Sequence, residues 1–299
     1  MSRSAWLVGA MFLVSIAAAA TPAVWRAPHT QKTDNRVARD RLHARNNPNR
    51  EDYSFLNAVG AVWPDDIKNA AGGSGAATGF LIDRCHVLTT MHGVFTDDIV
   101  INPPDGKPVA FAVGQTEGET NRGALRGLKF LLHGTVIAHG DNIIVNHLAH
   151  DPENDWALIG LKTNVDDTIA PMTIAAVDEA QLPKGLELSV AGFPTDHRSR
   201  RGDGFNFKDL WGSDGEVVAV VWRSTIGAVL ETTIQVTRGN SGSPLYGDLD
   251  GQKHVVIGMV EGIRGNGIDA SEDAPNTEIL FTPSTFASIG AARARTPCR

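Results

Sequence analysis

Ser241 lies in Gly239-Asn240-Ser241-Gly242-Ser243-Pro244, two glycines and a proline closed around one hydroxyl. A tight turn of this kind presents its side chain and can aim the amides of Gly239 and Ser241 at one point. There they would hold the negative charge that develops on a carbonyl oxygen under attack. A serine hydroxyl is a weak nucleophile until an imidazole takes its proton, and the imidazole needs a partner that fixes its tautomer and stabilises the imidazolium. His92 stands just past the run Val87-Leu88-Thr89-Thr90-Met91, where a side chain can leave the core and face a cleft. Asp155 stands just before the run Trp156-Ala157-Leu158-Ile159. The chain order is therefore His92, Asp155, Ser241.

Short strands must position these groups. Thirty-one glycines, with Val, Ile and Thr runs broken by Asn, Asp and Pro, favour strands over long helices. The pattern predicts strands at 58–63, 79–83, 85–90, 109–113, 135–138, 155–161, 186–194, 216–223, 229–237 and 255–260. Residues 163–184 read as a crossing between two halves, and 195–214 as a long polar loop. Thr282-Pro283-Ser284 is a helix start, predicting a short helix over 285–294 with arginines at its C-terminal end. The glycine-rich turn at 72–78 lacks the GxxxxGK[ST] pattern and leads from strand to strand, so it is no phosphate cradle. His133, His139, His147 and His150 do not have zinc-site spacing and no cysteine accompanies them, so no metal is expected.

The 42% hydrophobic content suits a globular protein with a real core, and a net charge of −7 argues against nucleic acid as a partner. The N-terminus reads as an export signal: Arg3, an apolar run over 5–16, and Ala18-Ala19-Ala20, with the cut after Ala20. Its apolar core is shorter than the roughly 20 residues a membrane span needs, and no later segment is long and apolar enough to span. The expectation is a secreted or periplasmic protein with no membrane insertion once the signal is removed. In such a compartment a single cysteine pair usually bridges, which predicts a disulfide between Cys85 and Cys298; the alternative is two free thiols. Residues 21–54 are polar and basic in their middle, and read either as a propeptide, as a basic arm or as a solvated leader.

Leu88-Thr89-Thr90-Met91-His92, Asp155-Trp156-Ala157-Leu158-Ile159 and Gly239-Asn240-Ser241-Gly242-Ser243-Pro244 resemble the His, Asp and Ser boxes of the chymotrypsin/trypsin-like serine proteases. Asn240 and Ser243 are similar to the bacterial glutamyl-endopeptidase (V8-like) branch. The resemblance covers roughly residues 55–285. It implies an all-β fold of two six-stranded antiparallel β-barrels with a short C-terminal helix: an N-terminal barrel over 55–165, a C-terminal barrel over 166–282, and a helix and tail over 283–299. It further implies a serine endopeptidase acting on protein or peptide through an acyl-enzyme and needing no cofactor. Ser241 would be nucleophile, His92 general base and acid, Asp155 the orienting carboxylate, and the amides of Gly239 and Ser241 the oxyanion hole.

The chain departs from the family in places. Asn240 replaces an aspartate that in many members pairs with a newly released N-terminus, and Met91 and Gly93 flank His92 where Ala and Cys are common. Val260-Glu261-Gly262 replaces Ser-Trp-Gly. That change motivates an alternative, a proteolytically silent protease-like binding domain. An esterase of the α/β-hydrolase kind requires the order Ser, Asp, His and a strand-to-helix elbow, neither of which fits. By resemblance the primary pocket is walled by Gln235, Val236, Val260 and Ile263. Val260 stands where glutamyl endopeptidases carry a histidine, and no pocket carboxylate supports Arg or Lys, so a small or apolar substrate side chain is expected.

Overall fold

A computed structural model describes residues 37–38, 53–64, 77–95, 99–101, 105–113, 131–145, 148–149, 151–194, 210–222, 228–237, 239–262 and 276–299. In chain order, β1 (Val37–Ala38) and a 3-10 turn (Tyr53–Ala58) lead into β2 (Val59–Pro64), β3 (Ala77–Leu81) and β4 (His86–Thr90). The one-turn helix α1 (Met91–Val94) follows, then β5 (Ile99–Ile101), β6 (Pro108–Val113), β7 (Leu131–His139), β8 (Ile143–Val145), β9 (Leu148–Ala149) and β10 (Trp156–Leu161). β11 (Glu187–Gly192), β12 (Trp211–Trp222), β13 (Ala228–Thr232), β14 (Pro244–Leu249), β15 (Gln252–Gly262), β16 (Asn276–Leu280) and α2 (Pro283–Arg295) complete the chain.

Two closed six-stranded antiparallel barrels result. The first runs β10-β4-β3-β2-β6-β7, and the second runs β12-β11-β14-β15-β16-β13 and closes through β12–β13 pairing. β1 adds to the second barrel's β12, with Val37 opposite Gly212 and Ala38 opposite Trp211. The strands β5, β8 and β9 form a small separate sheet. β2, β3, β4 and β10 are buried or nearly so along their length, because one face fills the barrel and the other packs against neighbouring elements. Thr282 caps α2 by accepting from the Thr285 amide, and Pro283 occupies its first turn, where a missing N–H costs nothing.

The structure adds β1, β5, β8, β9, β14 and β16 to the predicted strands and moves the ends of others. Residues 233–237 leave the ladder after Thr232. Their backbone is met by side chains instead: the Ile234 amide donates to Thr232 Oγ1, the Gln235 amide to Ser213 Oγ, and Asn276 Nδ2 to Ile234 O. Residues 211–214, expected in a loop, open β12 because they pair with 189–192 of β11. β16 was not predicted, since Asn276-Thr277-Glu278 offers no apolar run. Cys85 and Cys298 form the expected disulfide, which ties the C-terminal tail to the start of β4. No helix among the described residues is long and apolar enough to cross a membrane.

Candidate active site

β4 and β10 fix the first pair of groups. Their register sets Trp156 opposite Thr90, so Asp155 falls beside the start of α1. The Met91 amide donates to Asp155 O at 3.3 Å and the His92 amide to Asp155 Oδ1 at 2.9 Å, while His92 Nδ1 and Asp155 Oδ2 share a short hydrogen bond. One carboxylate thus grips both the ring and the backbone of His92. Asp155 is fully buried, whereas the His92 side chain keeps 14% of its surface in contact with solvent, enough for a reactant to reach it. Burial alone would disfavour the imidazolium. The charge of Asp155 and its hydrogen bond outweigh burial, Glu261 adds to them, and His92 is held above its ordinary 6.5.

The Ser241 turn is tied to β3 and packed against β4. Gly239 and Gly242 adopt φ of 93° and 81°, a region that side chains rarely occupy. Gly242 is also pressed so close to the first barrel that a Cβ there would come within 2.1 Å of Thr78 O, 2.7 Å of Thr89 Oγ1 and 3.0 Å of the Thr90 amide. The turn therefore sits against the two residues that precede α1. Thr78 of β3 anchors it: its amide donates to Ser241 O at 2.8 Å and its hydroxyl to Gly239 O at 2.7 Å. The same hydroxyl accepts from the Phe193 amide at 3.0 Å, and Thr78 O accepts from Thr89 Oγ1 at 2.8 Å. Within the turn, the Ser243 amide holds Asn240 O at 2.8 Å, which fixes the peptide carrying the Ser241 N–H.

His92, Asp155, Gly239 and Ser241 are thus gathered where the two barrels meet. Ser241 is half-buried, and no hydrogen bond joins it to His92; such bonds commonly tighten only with substrate bound. Of the expected pocket residues, Val236 and Val260 are buried and Gln235 is half-buried, while Ile263 falls outside the described residues, as do His147 and His150. Asn240 is buried with its Oδ1 unpartnered. Thr78, which anchors the turn, was not anticipated as a site residue.

The family model described as Trypsin matches residues 63–283, a span that holds all three candidate groups and every barrel strand but the first four residues of β2. The chain belongs to the trypsin family. Among solved structures, a Glu endopeptidase in complex with MPD is 20% identical, with a TM-score of 0.51 over 80% of this chain and 91% of that one. A protease from M. tuberculosis in its active form is 18% identical, with a TM-score of 0.46 over 82% of this chain and 83% of that one. A comparison with curated proteins found no match. Membership of the trypsin family supports a hydrolase that acts on peptide bonds, and accounts for the paired barrels with the candidate groups between them.

Proposed function

We propose that the chain is an exported serine endopeptidase working through a Ser241-His92-Asp155 triad and an acyl-enzyme. Ser241 Oγ attacks the scissile carbonyl carbon as His92 Nε2 takes its proton, and Asp155 stabilises the imidazolium through Nδ1. The amides of Gly239 and Ser241 hold the oxyanion. His92 then gives the proton to the leaving amine, which departs and leaves an acyl group on Ser241. Water, deprotonated by His92, releases the acid and restores the hydroxyl.

The observation that carries this reading is the double grip of Asp155 on the ring and amide of His92, beside a serine turn anchored on β3 of the same barrel. A binding domain has no need of that arrangement. Export is supported by the signal-like residues 1–20 and by the Cys85–Cys298 disulfide, which suits an oxidising compartment. Digestion of casein by the purified protein, beside Ser241→Ala, tests the proposal: hydrolysis by the wild type alone is expected. Equal hydrolysis by the variant, or none by either, would remove it.

A further inference from the structure

Asp83, Cys85, His86 and Cys298 meet at the start of β4, the end away from His92, and their side-chain donor atoms all lie within 4.8 Å of one another. Cys298 reaches the group from the tail, three residues past the last residue of α2, Arg295. Cys85 Sγ lies 3.5 Å from His86 Nδ1, and Cys298 Sγ lies 4.0 Å from the same nitrogen. Cys298 Sγ stands 3.3 Å from Asp83 Oδ1, and His86 Nδ1 stands 2.9 Å from that oxygen. A disulfide has no need of this company, since its sulfurs are at most weak acceptors. Asp83 has a second use, as acceptor of the Cys85 and His86 amides and of Arg293 Nε. The imidazole is buried, 1% exposed, with Nδ1 turned to Asp83 and the sulfurs.

The group has the chemistry and the dimensions of a zinc site. Two thiolates, an imidazole and a carboxylate are ligands that Zn²⁺ takes. Tetrahedral zinc with ordinary bond lengths sets a sulfur roughly 3.5 Å from a nitrogen or oxygen, and two sulfurs roughly 3.8 Å apart. The four distances above already lie close to the first value. Only the two sulfurs, bonded to each other in the disulfide, have to part, and the tail beyond α2 lets Cys298 move. The surrounding bonds also fit. His86 Nε2 faces Thr296 Oγ1 at 3.1 Å, which favours the tautomer that frees Nδ1 for a metal, while Arg293 Nε holds Asp83 Oδ2 at 2.9 Å and leaves Oδ1 for it.

We propose that this group is a zinc site of the reduced chain: once a dithiol has opened the disulfide, Cys85, Cys298, His86 Nδ1 and Asp83 Oδ1 bind one Zn²⁺ and keep α2 tied to the first barrel. The dithiol gives the disulfide two electrons and two protons and closes its own sulfur–sulfur bond. Zn²⁺ then displaces both thiol protons to water and forms two zinc–sulfur bonds. His86 coordinates as the neutral ring, with its one proton on Nε2. The tail thus has two fastenings, a covalent one where oxidant prevails and a metal where it does not. The site touches neither Ser241 nor His92 and is independent of the peptidase reading.

Two measurements on the full chain test this. In the first, the protein is reduced with dithiothreitol, freed of it without air, and titrated with Co²⁺ and then Zn²⁺. The chain has only two cysteines, so a sulfur-to-cobalt charge-transfer band can come from no other pair. One Co²⁺ per chain is expected, with that band and the visible bands of tetrahedral cobalt, all erased by one equivalent of Zn²⁺. The disulfide form should show none of these bands, and Cys298→Ser should bind at least about tenfold more weakly. Absence of the bands from the reduced wild type, their presence in the disulfide form, or undiminished binding by Cys298→Ser overturns the site. The second measurement, which needs no variant, is thermal melting: Zn²⁺ should raise the Tm of the reduced wild type and leave that of the disulfide form unchanged, as a metal held by the folded reduced chain alone must. A reduced chain whose Tm zinc does not raise overturns the proposal.

Discussion

Thr78 holds Ser241 from across the barrel interface, its amide on Ser241 O at 2.8 Å, and with its hydroxyl on Gly239 O it fixes both ends of the turn that carries the two proposed oxyanion amides. The first barrel, which carries His92 and Asp155, thereby sets the position of the proposed nucleophile in the second. Because Gly242 has no room for a Cβ, the turn cannot drift from this anchor without opening the contact with Thr89 and Thr90.

Thr78→Val keeps the shape of the side chain and removes the hydroxyl, leaving Gly239 O without its donor and the Phe193 amide without its acceptor. We expect kcat to fall about tenfold with KM little changed, short of the loss that follows removal of an oxyanion donor itself. Stability should drop by about 1–3 kcal/mol. Thr78→Ser should restore most of the rate. Steady-state kinetics of the three proteins checks this, and an unchanged kcat in Thr78→Val would show that the anchor does not matter for turnover.

His92 must be neutral to take the Ser241 proton, and the wild-type imidazole is held above 6.5 chiefly because Asp155 outweighs burial. The acid limb of kcat/KM should therefore fall off above pH 6.5. In Asp155→Asn the limb should move to lower pH while kcat drops on the order of 10⁴-fold, because the imidazole loses both its tautomer and its counter-charge. A pH–rate profile of both proteins decides it; a limb that stays in place in Asp155→Asn would assign it to another group.

Glu278 is raised from 4.5 to about 8 in the folded state. The folded protein binds this proton more tightly than the unfolded chain, so the contribution is complete below pH 4.5 and is lost as pH rises toward 8. Glu278→Gln should match the wild type at pH 4 and exceed it by a few kcal/mol, on the order of 3–5, at pH 8. Urea unfolding at the two pH values measures this, and a wild type that is the more stable at pH 8 would contradict it.

Asp83 joins the C-terminal helix to the first barrel. It accepts from the amides of Cys85 and His86 and from Arg293 Nε of α2, and it meets the ring of His86 at 2.7 Å. Burial would raise this carboxyl, but those hydrogen bonds and charges bring it from 3.8 to about 2. Its contribution is present above pH 3.8 and is lost as pH falls toward 2. Asp83→Asn should cost about 2 kcal/mol at pH 7, and the two proteins should converge near pH 2. Thermal melts across that range test it.

The three groups proposed for catalysis were legible because His92 and Asp155 border short apolar strands and Ser241 lies in a glycine- and proline-bounded turn, and the disulfide because two cysteines have one possible pairing within the chain. Thr78 was not legible, since a threonine in a strand is ordinary and its hydroxyl partners are 161 and 115 residues away. β16 was missed for a related reason. Asn276-Thr277-Glu278 shows neither an apolar run nor a polar/apolar alternation, and only pairing with β13 and β15 orders and buries the segment. The end of β13 was overextended because Ser213, Thr232 and Asn276 take over backbone bonds that the ladder would have made.

The central claim is that Ser241 is a nucleophile activated by His92. Treating the purified protein with a fluorophosphonate and locating the adduct by peptide mass tests it directly. A single adduct on Ser241 in the wild type, absent from His92→Ala over the same time, is the expected result; an adduct elsewhere, none at all, or equal labelling of His92→Ala would contradict it.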